Sequence, residues 1–126
     1  MEYTRNQIEQ LPIFFIVGRG RSGSTLLKSM LDSHPSIVVP FECRFVQYLY
    51  YKYYKVTKFS NDIITNLYHD TINSFESLSF DNNKLKNDLL SFADNASFEL
   101  LLKIIYINTK GASNKQQIIL IGDKNP

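Results

Sequence analysis

Five consecutive apolar residues, Ile13-Phe14-Phe15-Ile16-Val17, follow an otherwise polar start from Met1 to Gln10. All five are β-branched or aromatic, with no polar alternation. That pattern suits a strand buried on both faces, as in a parallel sheet. Gly18 to Gly23 breaks the run. From Ser24 a helical period begins, with Leu27, Met30, Leu31 and His34 at i, i+3, i+4 and i+7 on one face, and Pro35 stops it. On this reading His34 packs at the end of the helix. Ile37-Val38-Val39 forms a short second strand, ended by Pro40.

The middle of the chain reads as helical. Phe45 to Val56, Ile63 to Phe75, Leu85 to Phe92 and Phe98 to Ile107 each carry a helical pattern, with Asp62, Asp81 and Asn95 as nearby start signals. Gly111 to Gln117 is a polar turn. Ile118 to Ile121 is a second buried-strand pattern, ended by Gly122. Strand, helices and strand again predict an α/β architecture. Two or three strands make a thin sheet for a doubly wound fold. The expectation is therefore that residues 1–126 are the N-terminal part of one larger domain, with further strands beyond Pro126.

Composition adds limits rather than a function. The chain has 126 residues, 44% hydrophobic and 21% charged, as an ordinary globular protein does. A net charge of +2 gives no case for a nucleic-acid or membrane partner. Cys43 is the only cysteine, so no intrachain disulfide forms, which suits a reducing compartment such as the cytoplasm. The apolar run Ile13–Val17 is far short of the roughly 20 residues of a membrane helix. Without a secretory signal, the sequon Asn95-Ala96-Ser97 reads as chance. No metal-ligand spacing occurs. Tyr48, Tyr50, Tyr51, Tyr53 and Tyr54 read as the packing of an amphipathic helix with hydroxyls in water.

The chemistry concentrates between Val17 and Leu26. Gly18-Arg19-Gly20-Arg21-Ser22-Gly23-Ser24-Thr25 has the spacing of the phosphate loop G-x-x-x-x-G-K-S/T, but Ser24 stands where lysine is required. Glycines let the backbone curl so that successive N–H groups face one anion, and the helix N-terminus adds partial positive charge. The Ser24 and Thr25 hydroxyls can donate to the same phosphate. Arg21 and Arg19 replace the missing lysine with groups suited to a bidentate grip on phosphate or sulfuryl oxygens.

Arg21 to Leu27 resembles the 5′-phosphosulfate loop of the sulfotransferase family, which uses 3′-phosphoadenosine 5′-phosphosulfate (PAPS). The longer string RSGSTLLKSMLDSHP, Arg21 to Pro35, is similar to the tyrosylprotein sulfotransferase branch and its bacterial relatives. The resemblance implies a three-layer P-loop fold with a parallel sheet. It also implies sulfuryl transfer from PAPS to an acceptor hydroxyl without a metal. Cofactor-binding residues would be Arg21, Ser22, Gly23, Ser24, Thr25 and Leu26. Glu42 matches the family's catalytic base, and Arg44 an arginine that places the acceptor. Lys124, in Gly122-Asp123-Lys124-Asn125-Pro126, resembles a lysine that contacts the donor near the scissile bond. If the strands of residues 13–17 and 118–121 run parallel in one sheet, Lys124 arrives on the loop's side, because ligands bind at the carboxyl ends of such strands.

The family's 3′-phosphate ligands follow a later strand and have no counterpart before Pro126, so weak donor binding and poor turnover are expected of these 126 residues alone. Two alternatives stand beside this reading. One is a P-loop nucleotide kinase or triphosphatase, in which residues 118–123 form a Walker B strand and Asp123 holds magnesium. The other is a truncated fragment with no catalysis of its own. The acceptor is not encoded in any motif.

Overall fold

The computed structural model describes residues 3–17, 23–40, 45–75, 80–113, 115 and 117–125. Three parallel strands, β1 (Ile13–Val17), β2 (Ile37–Val38) and β3 (Leu120–Asn125), form one sheet in the order β1-β3-β2. Seven helices accompany them: α1 (Arg5–Gln10), α2 (Ser24–Asp32), α3 (Phe45–Tyr53), α4 (Asn61–Ser74), α5 (Asn82–Ser91), α6 (Phe98–Ile107) and α7 (Lys110–Ser113). The α/β class with a parallel sheet and a helix-rich middle is thus observed. α2 lies against all three strands, and the helices from α3 to α7 are inserted between β2 and β3.

The hydrophobic centre is α6. Residues 100–107 are all buried, and α6 packs on β3, α1, α3, α5 and α7. A helix that is apolar all round belongs in a core. Its one buried charge, Lys103, donates to the Glu9 carbonyl at 2.9 Å and pairs with the exposed Glu99 of the same helix at 3.1 Å. That bond satisfies a carbonyl at the end of α1. α1 itself was not expected from the polar start of the chain. It begins with a capping box, in which Thr4 accepts from the Gln7 N–H and Gln7 accepts from the Thr4 N–H. Arg5 donates to the carbonyls of Asp94 and Asn95, tying α1 to the turn before α6. Asn95 holds the left-handed conformation there, with φ of 53°.

Helix starts differ slightly from the expected ones. Asp81 caps α5 as read, accepting from Lys84 N–H at 3.2 Å. Ser60 caps α4 instead of Asp62, and Ser97 caps α6 instead of Asn95. The expected turn after Gly111 contains the short helix α7.

The largest change concerns Gly122, which does not end the last strand but lies inside it. A Cβ there would sit 2.8 Å from Val39 Cγ2 and would also strike the Phe14 ring. The strand needs glycine because two neighbours close over its backbone, and it then continues through Asp123 and Lys124 to Asn125.

The helical face Leu27, Met30 and His34 is not packed inward. Phe15, Leu26, Leu27 and Met30 are 57%, 67%, 47% and 63% exposed. His34 is exposed too, and its Nδ1 accepts the Ser36 N–H at 3.0 Å. Among the described strands, β1 pairs on one side only.

Candidate phosphate-loop site

The site begins at the carboxyl end of β1, where the apolar run gives way to glycine. Residues 18–22, including Arg19, Arg21 and Ser22, lie outside the described residues. Gly23 has φ of +87° and is the N-cap of α2. An L side chain is strained in that conformation. Among the described residues nothing lies within 4 Å of a Cβ built on it, so the strain there is in the backbone. Gly23→Ala should therefore lower stability by roughly 1–2 kcal/mol, read as a lower urea midpoint with an unchanged slope. A loss below a few tenths of a kcal/mol would contradict this.

Ser24, Thr25 and Leu26 form the first turn of α2. With glycine as N-cap, no side chain from that position takes up their N–H groups. Helix N-termini leave these donors for an outside acceptor, and their partial charge favours an anion. The donor set therefore fits a phosphate group, such as the 5′-phosphate of a nucleotide.

The register of the sheet sets a second position beside this loop. Ile16 pairs with Lys124 and Val17 with Asn125, in parallel. Neighbouring strands lie about 4.8 Å apart. The main chain of Lys124 thus runs next to β1 two residues before the loop begins, at the same end of the sheet. The conditional expectation for Lys124, that parallel strands would bring it to the loop's side, is met at the level of the backbone. Lys124 sits in the strand rather than in a following turn. Asp123 is buried beside it and pairs with Phe15.

β2 leads to the other half of the site. After it, Val39 and Pro40 are buried, and the Val39 N–H donates to Asp32 Oδ1 at 2.8 Å. Glu42, Cys43 and Arg44 lie in the segment 41–44, outside the described residues. The structure thus sets Gly23, Ser24, Thr25 and Leu26 at the start of α2 and the main chain of Lys124 opposite Ile16 near the carboxyl end of β1. Arg21, Ser22, Glu42 and Arg44 are not among the described residues.

Beyond the segment, α3 carries the tyrosines. Tyr48, Tyr50, Tyr51 and Tyr54 are exposed, as the amphipathic reading expects, while Tyr53 is buried. Tyr50 stacks on Tyr54 at 5.3 Å between ring centres. Tyr53 donates its hydroxyl to Asp70 on α4, and Lys52 pairs with the same carboxylate at 2.8 Å. Burial pushes the Tyr53 hydroxyl well above its ordinary range, and the hydrogen bond to Asp70 adds to this. A separate hydrogen bond, from Lys52 to the same Asp70 carboxylate, raises the exposed Lys52 ammonium. Tyr53 therefore stays protonated and fastens α3 to α4. Sequence reasoning treated the tyrosines as one group and did not single out Tyr53. Its spacing from Leu49 at i+4, both on the buried face, is the signal that separates it.

Among the described residues, no group of three or more His, Cys, Asp or Glu is placed to hold a metal ion. No described helix is long and apolar enough to cross a membrane.

Comparison with known proteins gives one match. A sequence model described as the Sulfotransferase family matches residues 12–114. No curated protein and no solved structure matches the chain. The match spans the phosphate loop, the Glu42 segment and the middle helices, which carry no motif of their own. It ends before β3, so the place of Lys124 rests on the register of the sheet. With more than half of the chain matched, and with a parallel sheet that delivers a glycine-capped loop and a lysine to the same end, the chain belongs to the sulfotransferase family.

Proposed function

We propose that this protein transfers a sulfuryl group from PAPS to an acceptor hydroxyl. What carries the reading is the loop that resembles the family's 5′-phosphosulfate loop, together with the Ile16–Lys124 register that sets a lysine beside it. PAPS supplies a sulfuryl group already activated on a phosphate. The N–H groups of Ser22, Gly23, Ser24, Thr25 and Leu26, with the Ser24 and Thr25 hydroxyls, hold that 5′-phosphate. Arg21 and Lys124 neutralise the charge that grows on the bridging oxygen as the sulfur–oxygen bond breaks. Glu42 accepts the proton of the attacking hydroxyl. Arg44 orients the acceptor. The motif's similarity to the tyrosylprotein branch makes a phenolic hydroxyl the first acceptor to try. Sugar and lipid alcohols belong in the same panel, since fold likeness does not fix a substrate.

Residues 1–126 are, on the same reading, the N-terminal part of one larger domain. The edge position of β1 among the described strands and the exposed apolar row of Phe15, Leu26, Leu27 and Met30 favour this. An apolar edge strand is ordinarily paired or covered. A cytoplasmic location goes with it, favoured by the single cysteine. The kinase or triphosphatase alternative has Asp123 at the right end of β3 but lacks a lysine at position 24.

The test is transfer of labelled sulfate from PAPS to phenolic, sugar and lipid hydroxyls. It is run with the full-length protein as encoded and, separately, with residues 1–126. The expected result is transfer by the first and little or none by the second. No transfer by the full-length protein to any hydroxyl would overturn the transferase reading. Robust transfer by residues 1–126 alone would overturn the part-domain reading.

A further inference from the structure

Asp32 is the last residue of α2, where an acid is out of place. The C-terminal end of a helix carries partial negative charge, which disfavours a carboxylate there. The surroundings compensate for it. Lys28 Nζ lies 3.7 Å from Oδ2 and Lys115 Nζ lies 3.8 Å from Oδ1. Both lysine side chains are mostly buried, at 13% and 10% exposure. Lys115 also donates to the main-chain oxygens of Asp32 and His34, so it closes the end of α2. The carboxylate is thus held in place at some cost to the helix.

What it holds is the exit of β2. Asp32 Oδ1 accepts the N–H of Val39, the first residue past the strand. Val39 is fully buried, and its Cγ2 lies against Gly122 of β3. Pro40 follows, with its φ fixed by the ring. The opposite end of α2 is the phosphate-binding turn. One helix therefore carries the donor loop at its start and, through Asp32, grips the chain three residues before Glu42.

We propose that Asp32 is a positioning residue, which locks the exit of β2 to the end of α2 and so fixes the origin of the Glu42–Arg44 segment relative to the donor loop. This rests on the reading of Glu42 as the base. Displacing a reacting group by about 1 Å can cost about 100-fold in rate, so a hydrogen bond at the root of the segment has leverage over the chemistry.

The experiment compares wild type, Asp32→Asn and Asp32→Ala in the full-length protein. Amide exchange, which reports local opening, is measured over residues 39–45 and over α6. Asparagine keeps an oxygen that can accept the Val39 N–H, whereas alanine does not. Asp32→Ala should speed exchange at Val39 and across 41–45 by about tenfold or more and leave α6 protected. Asp32→Asn should stay near wild type. In sulfuryl transfer, Asp32→Ala should lower kcat by about 10–100-fold with the affinity for PAP, the desulfated donor, little changed, and Asp32→Asn should restore most of the rate. Unchanged exchange over 41–45 in Asp32→Ala would overturn the proposal. So would an equal rise in α6, or an Asp32→Asn variant no better than alanine. If wild type neither binds PAP nor transfers sulfate, the catalytic reading fails, while the exchange data still decide whether Asp32 holds the segment.

Discussion

Changing Glu42 to glutamine should lower kcat for sulfuryl transfer by about 10²–10⁴-fold, the usual worth of a general base. Glutamine has nearly the same shape and can accept a hydrogen bond, but it cannot take a proton from the acceptor. The proposed donor site lies at the start of α2 and uses other residues, so PAP affinity should stay within a few-fold. The pH profile offers a second readout. A general base works in its ionised form, so wild-type kcat/KM should fall as pH drops and the carboxylate is protonated. That low-pH limb should be absent from the residual activity of Glu42→Gln. A variant that keeps half the wild-type rate, or keeps the acid limb, would show that another group takes the proton.

The second large effect concerns the frame rather than the chemistry. Ile105 lies in the last turn of α6 and is fully buried. Truncating it to alanine removes buried apolar area and leaves a cavity, at a cost of about 2–5 kcal/mol. Small domains have only about 5–15 kcal/mol in total, so Tm should fall by roughly 10 °C. The exposed Ile119 gives a control. Ile119→Ala should change stability by less than about 0.5 kcal/mol. Equal losses at the two positions would contradict the account of α6 as the central buried helix.

The sequence was readable where burial is one-sided or total. β1 and the core of α6 stand out because unbroken apolar runs have few structural uses. Asp81 was readable as a cap because the helical pattern starts directly after it. At Ser60 and Ser97 the competing acid or amide two residues away gave an equally good cap, and backbone geometry decided between them. Gly122 could not be placed from sequence. Whether a glycine ends a strand or lets neighbours close over it depends on Phe14 and Val39, which are distant in the chain. The apolar face of α2 was correctly seen as one face, but its orientation was not readable, because periodicity gives the angular spread of side chains and not what lies opposite. α1 buries one full side chain, Ile8, so its only signal was the Thr4–Gln7 capping pair.

For the candidate site, the strand before residues 18–23 and the helix after them were legible, because an unbroken apolar run and a helical period flank the glycines. Lys124 was legible only as a condition on strand direction, which the parallel register meets. Asp32 was not legible at all. An aspartate near a helix end is common, and its contacts with Val39, Lys28 and Lys115 appear only in the structure.

The central claim is that the loop between β1 and α2 holds a PAPS-type donor without a metal. Titration calorimetry of the full-length protein tests it most directly, with PAP and with ATP, each in the presence and absence of magnesium, for wild type and Arg21→Ala. The account predicts that PAP binds equally well with and without magnesium and more tightly than magnesium–ATP. It also predicts that Arg21→Ala weakens PAP by at least about tenfold, the worth of one charge-assisted hydrogen bond. Magnesium-dependent ATP binding tighter than that of PAP, or PAP binding indifferent to the loss of Arg21, would contradict it.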